Sequence, residues 1–249
     1  MNNVLKNRIS RLAISLAATF LLMVVIVLAK GDSDSRILTM MGADMPAGLI
    51  QAATYFLFFW GMLEVAWLND RIRTENDAFK VHLLPEQDNW ILSPDDVNQL
   101  KNNMQHLEKH NRFMLADLVK KSCIKYRLSK SSSEVLDLVE AQTEIYQDEF
   151  ESEQSFLRYV AWAIPSVGFI GTVIGIAASL GFADEASTPE GISKVTDMLA
   201  IAFDTTLVAL VLSIFLMLGI HSLQRKEDKL FIDMKSYIIE NLINRFYKY

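Results

Sequence analysis

Four apolar runs, at 12–29, 47–68, 159–182 and 198–220, leave this chain few ways to fold. Backbone inside a bilayer must satisfy its own hydrogen bonds, and a hydrocarbon core of about 30 Å needs about 20 helical residues to cross. The runs meet or approach that length, and the only charges inside them are Glu64 and Asp204. The first run is not expected to be a cleaved signal peptide, because Lys30-Gly-Asp-Ser-Asp follows where small residues should stand. With 51% hydrophobic residues gathered into such runs, a soluble single-core enzyme and a disordered chain are both excluded. The expected fold class is all-α, an integral membrane protein with four transmembrane helices and a long helical extension.

Basic residues set the orientation. With the N-terminus inside, the inner segments hold 21 of the 24 Lys and Arg, and the outer loops hold only Lys30, Arg36 and Lys194. Both ends are therefore expected on the cytoplasmic side, with Trp67 and Trp162 as interfacial anchors near the inner ends of spans two and three. This divides the chain into 1–68 (N-terminal segment and spans one and two), 69–157 (a helical cytoplasmic domain), 158–221 (spans three and four) and 222–249 (a cytoplasmic amphipathic tail).

Inside the cytoplasmic portion, Ser93-Pro94-Asp95-Asp96 offers an N-cap, a proline at N1 and acidic residues for the first turn. A helix is expected from there to about Arg127. Ser131-Ser-Ser-Glu134 is a capping-box pattern, and no Pro or Gly follows before Ile164, so a second helix should run unbroken into span three. In the tail, Leu230, Phe231, Met234, Ile238, Leu242 and Phe246 recur at helical spacing between charges.

Chemistry-bearing residues are few. No Gly-x4-Gly-Lys-Ser/Thr string exists, so nucleotide hydrolysis has no P-loop support. The formal charge of −6 and the lack of a basic, aromatic-laced patch speak against nucleic acid. His106 and His110 share a helix face at metal-ligand spacing, but without a third ligand the expectation is a solvated face and no metal. Cys123 cannot form an internal disulfide; Lys120 and Lys121 nearby could lower its pKa, but a lone intracellular thiol is expected to be just a small apolar residue. Ionisable groups within spans are the better lead, because a charge in hydrocarbon is costly. Glu64 lies about a turn from the inner end of span two and is expected to snorkel to the interface. Asp204, about two turns inside the outer end of span four, needs a partner, a water-filled cavity or a proton.

Span three carries Pro165, which invites a kink, and a narrow face of Gly168, Thr172, Gly175 and Ser179, with Gly171 and Gly175 as a small-xxx-small pair. Span four has a matching stripe of Ala202, Thr206, Ala209 and Ser213; Asp204 falls about 200° from Thr206. Small faces let helices approach closely in lipid. Close packing within one subunit and a polar lining for an ion path or another helix are both open on spacing alone.

The strings Pro165-Ser-Val-Gly-Phe-Ile-Gly-Thr-Val-Ile-Gly-Ile176 and Ala202-Phe-Asp-Thr-Thr-Leu-Val-Ala-Leu-Val-Leu-Ser-Ile214 resemble the two core helices of the MotA/TolQ/ExbB proton-channel family. The likeness covers about 158–220, and the order of spans and inner domain looks like the MotA arrangement. The resemblance implies a pentamer around two copies of a single-span, MotB/TolR/ExbD-like partner whose intramembrane Asp carries H⁺ or Na⁺. Thr172, Thr205 and Thr206 would line the ion path, with Pro165 as the kink and Gly168, Gly171 and Gly175 as close-packing residues. Ile201 stands where TolQ and ExbB usually carry a glutamate, and Asp204 is an additional acid; Asp204 and Glu64 would tune the path. The expected function is thus the pore-forming subunit of an ion-driven motor in a bacterial inner membrane, without enzymatic activity or a resident cofactor. The alternatives are a self-sufficient channel using Asp204 and Glu64, and a structural membrane scaffold.

Overall fold

A computed structural model of the chain describes residues 2–31, 35–44, 47–85, 91–108 and 113–246. It is all-helical among these residues, apart from a single bridge pairing Leu92 with Phe246. The α-helices are α1 (Asn2–Lys30), α2 (Arg36–Met40), α3 (Ala47–Asp77), α4 (Pro94–Glu108), α5 (Met114–Ser129), α6 (Ser132–Gly181) and α7 (Pro189–Asn241). Four of them, α1, α3, α6 and α7, are long and apolar enough to cross a membrane. At most a third of the most apolar window of each is buried, so each keeps a broad apolar face outward, as a helix must whose surroundings are lipid or other helices.

The chain forms two compact units. The first comprises Met1–Ala66 and Ser155–His221. Within it α3 meets α6 and α7 closely, since a Cβ added to Gly61 would lie 3.0 Å from Leu216 and 3.2 Å from Val160. Trp60 and Phe156 pack with ring centroids 4.5 Å apart. The short helix α2 is tied down by Tyr55, whose hydroxyl donates to the Met41 carbonyl at 3.0 Å.

The second unit comprises Trp67–Gln154 and Ser222–Tyr249. Its core holds Val97, Met104, Leu118, Val119, Phe150 and all six apolar tail residues at helical spacing, Leu230, Phe231, Met234, Ile238, Leu242 and Phe246. Tyr126 stacks on Phe246, and Phe150 meets Phe231 edge-on. The Ser93 cap forms as its chemistry requires: Asp96 N–H donates to Ser93 Oγ at 3.2 Å, and Ser93 N–H donates back to the Asp96 carboxylate at 2.9 Å.

One expected helix is two. The stretch from Ser93 to Arg127 holds two helices, α4 to Glu108 and α5 from Met114, and Phe113, with φ −88° and ψ 137°, is extended and cannot belong to a continuous helix. The restart is anchored from α3, where Glu75 accepts a hydrogen bond from the Met114 N–H at 2.8 Å. By contrast α6 runs 50 residues from Ser132 without interruption, Pro165 included.

Candidate functional site

The small-residue stripes meet face to face within the first unit. A Cβ on Gly168 would stand 2.5 Å from Ala209 Cβ, one on Gly175 2.8 Å from Ala202 Cβ, and one on Gly171 would strike the Thr205 side chain. All three glycines are thus obligatory at this separation of α6 and α7, because no Cβ fits between the backbones. Pro165, one turn before Gly168, borders an open groove of about 720 Å³ lined with Trp162, Phe169, Ser213 and Met217.

That close approach brings the three threonines together. A threonine inside a helix usually returns its hydroxyl to the carbonyl four residues back on its own helix. Here Thr172 Oγ1 instead donates to the Ala202 carbonyl of α7 at 2.9 Å, and Thr206 Oγ1 donates to the Gly168 carbonyl of α6 at 2.9 Å. The exchange is reciprocal: each hydroxyl reaches the carbonyl four residues before the other threonine. The two hydroxyl oxygens also contact one another. Each hydroxyl owns one hydrogen, so three contacts share two hydrogens. When both carbonyls are served, the facing oxygens meet lone pair to lone pair; when Thr206 serves Thr172 the Gly168 carbonyl is released, and when Thr172 serves Thr206 the Ala202 carbonyl still keeps Thr205. Thr205, fully buried, donates to the Ala202 carbonyl at 3.0 Å, while Thr172 and Thr206 remain half-buried.

Both intramembrane acids are paired. Glu64 does not snorkel to an aqueous interface: its side chain is 1% exposed, and its carboxylate accepts from Arg8 Nε at 3.2 Å and Arg11 Nε at 2.7 Å. The physical reason is that α1 brings two guanidinium groups, one turn apart, against α3, and a buried carboxylate gains more from two charge-assisted bonds than from stretching toward water. Asp204 is buried too, and Arg36 of α2 grips it in fork geometry through both terminal nitrogens at 2.7 and 2.8 Å. Gln51 of α3, fully buried, donates through Nε2 to the Met40 carbonyl at 2.8 Å and lies 3.4 Å from the Asp204 carbonyl. Asp204 and Thr206 therefore address different neighbours, as their angular offset requires. Arg36 and Gln51 were not singled out in the sequence. The available signal was scarcity: Arg36 is one of three basic residues in the connections between the first and second and the third and fourth apolar runs, and the fourth run holds an acid that needs a counter-ion.

Elsewhere, Cys123 is buried in the second unit, and desolvation pushes its thiol up to about 12, the opposite of activation by Lys120 and Lys121. His106 lies on α4, whereas His110 falls outside the described residues; among those described, no group of three His, Cys, Asp or Glu could hold a metal.

The model of the MotA/TolQ/ExbB proton channel family matches residues 105–236, a little over half of the chain. The chain belongs to the MotA/TolQ/ExbB proton channel family. The match takes in both threonine-bearing helices and extends on either side into the second unit, well past the 158–220 core strings. No curated protein and no solved structure matches the chain. Membership in this proton channel family and four helices of spanning length make the chain a multi-pass membrane protein of channel type.

Proposed function

We propose that this family member is the ring-forming subunit of an ion-driven membrane motor. Five copies would surround two single-span partner subunits, and an Asp in the partner's span would carry the ion, H⁺ or Na⁺. Residues 69–157 and 222–249 would face the cytoplasm of a bacterial inner membrane. The observation that carries the reading is the reciprocal threonine exchange between α6 and α7. It concentrates hydroxyl oxygens at one depth, with fewer hydrogens than contacts, so an arriving donor such as a protonated carboxyl can be accepted without breaking helix packing. At rest both of this chain's intramembrane carboxylates are held by arginines, and both are fixed on their own helices, so neither can carry an ion across the membrane; the mobile charge falls to a partner, which weighs against a self-sufficient relay through Asp204 and Glu64.

A scaffold that only packs helices draws its support from the same bonds, since Thr172 and Thr206 each already donate within the subunit. Thr172→Val and Thr206→Val separate the two. Valine keeps the shape and deletes the hydroxyl, at a stability cost of about 0.6 kcal/mol per membrane hydrogen bond. As an ion path, both variants assemble with the partner yet lose most ion-driven activity. Normal assembly together with normal activity in both variants would reduce the threonines to packing residues.

A further inference from the structure

Away from the threonines, the Arg36–Asp204 pair divides its exposure unevenly. The Arg36 side chain is 61% exposed and that of Asp204 only 8%, so the acid is a built feature of α7 while the cation arrives on a tether from the open side. The backbone bearing Arg36 is fixed: α2 is held through its last turn by Gln51 on the Met40 carbonyl and Tyr55 on the Met41 carbonyl. Its long side chain is what can leave.

Gln51 supplies a second, independent observation. Both neighbours of its Nε2 are carbonyl oxygens, which fixes the amide orientation, because a flipped amide would face acceptor to acceptor. The other end of the amide, Oε1, is then buried with no donor among the described residues. An unpartnered buried carbonyl oxygen is costly and asks for a hydrogen-bond donor or a cation. Among the described residues nearby, Lys30 pairs with Asp44, and the Tyr55 hydroxyl donates to the Met41 carbonyl.

We propose that the Asp204 carboxylate and Gln51 Oε1 form a cation-entry site on the outer side, and that the Arg36 guanidinium is a tethered cation which occupies the carboxylate at rest and must swing out before Na⁺ or a proton can enter. Carbonyl and carboxylate oxygens are what replace the hydration shell of such an ion. This inference rests on the ion-conducting reading above, and it makes Arg36 a competitor of the transported ion.

The test is cation binding to the purified full chain in detergent, read as thermal stability against Na⁺ in a choline background and, separately, against pH. A tethered competitor masks the site, so wild type should respond weakly. Arg36→Gln removes the competitor and should tighten the apparent cation affinity by about tenfold. Arg36→Lys keeps a tethered charge without the fork and should stay near wild type, whereas a residue that merely pins the loop through its bidentate grip would not be replaced by lysine. Arg36→Gln with Asp204→Asn should abolish the response. The proposal is overturned if Arg36→Gln responds no more strongly than this double variant to both Na⁺ and pH, or if Lys behaves as Gln does. If Arg36→Gln does not fold, wild type against Asp204→Asn decides: equal responses overturn the site. Ion flux is not measured, so failure here leaves the threonine path standing, and failure of the threonine variants leaves this site standing.

Discussion

Gly168→Ala tests the α6–α7 contact on which the threonine exchange depends. The new Cβ would sit 2.5 Å from Ala209 Cβ, and 3.2 Å from both the Thr205 carbonyl oxygen and Thr206 Cα. Carbon atoms settle at about 3.5–4.0 Å, so the helices must separate by about 1 Å locally. That carries the Thr206 to Gly168 bond, 2.9 Å in the native contact, past useful hydrogen-bond length, and the reciprocal Thr172 to Ala202 bond with it. Overpacking costs about 1–3 kcal/mol, and two interhelical bonds in a membrane add about 0.6 kcal/mol each. Alanine's better helix propensity offsets about 1 kcal/mol. The net expectation is a loss of about 1–3 kcal/mol, measured by denaturant unfolding of the purified protein in micelles. Ala209→Gly removes the nearest obstacle, so in a double-mutant cycle it should recover more than half of that loss, with a coupling of about 1–2 kcal/mol. Recovery should be incomplete because the two contacts at 3.2 Å persist. Full stability of Gly168→Ala alone, or a loss that Ala209→Gly leaves untouched, would refute the contact and with it the geometry of the site.

Two further expectations concern the second unit. Burial alone would raise the Asp117 carboxyl, but hydrogen bonds from Lys121, Tyr146 and Lys120 outweigh it and hold the group down to about 2, against an ordinary 3.8. A depressed acid stabilises the fold above its unfolded value and loses that contribution as pH falls from about 3.8 to about 2. Asp117→Asn should therefore lower the thermal unfolding midpoint at pH 6 and leave it nearly unchanged at the acid end; an equal loss at both pH values would contradict the assignment. Cys123, with its thiol pushed up to about 12 and no exposed surface, should resist maleimide in the native protein and react fully after unfolding. Rapid labelling of the native state would show that α5 opens or packs differently.

The parts of this molecule legible in the sequence are those governed by local periodicity. Apolar runs with at most one charge each mark the helices of spanning length, and the stripes at Gly168, Thr172 and Gly175 and at Ala202, Thr206 and Ala209 mark the faces that meet, because helical spacing alone decides which residues share a side. What stayed hidden depends on pairs distant in the chain. Asp204 and Arg36 are 168 residues apart, and Glu64 lies 53 residues from Arg11; periodicity within one helix says that an acid needs a counter-ion but not which one. The restart at Met114 was missed because no Pro or Gly stands between Pro94 and Arg127, and it rests on a hydrogen bond that the Met114 N–H donates to Glu75 of another helix. Cys123 behaves as the small apolar residue that a lone intracellular thiol is expected to be: lysines precede it in sequence, but it is buried, and desolvation outweighs the nearby charge.

The surplus of contacts over hydrogens at Thr172 and Thr206 has a consequence for speed. Redistributing two hydrogens among three contacts needs only rotation about two C–O bonds, and side-chain rotations belong to the picosecond-to-nanosecond range, whereas shifting a packed helix takes microseconds to milliseconds. The backbones meet at glycines that admit no Cβ, and they need not move for the hydroxyls to turn; on the proposed reading, that turning is how they would answer a passing charge. Such a site responds thousands of times faster than the helices that hold it, and in the proposed motor the slow step would then fall to whatever must turn or slide.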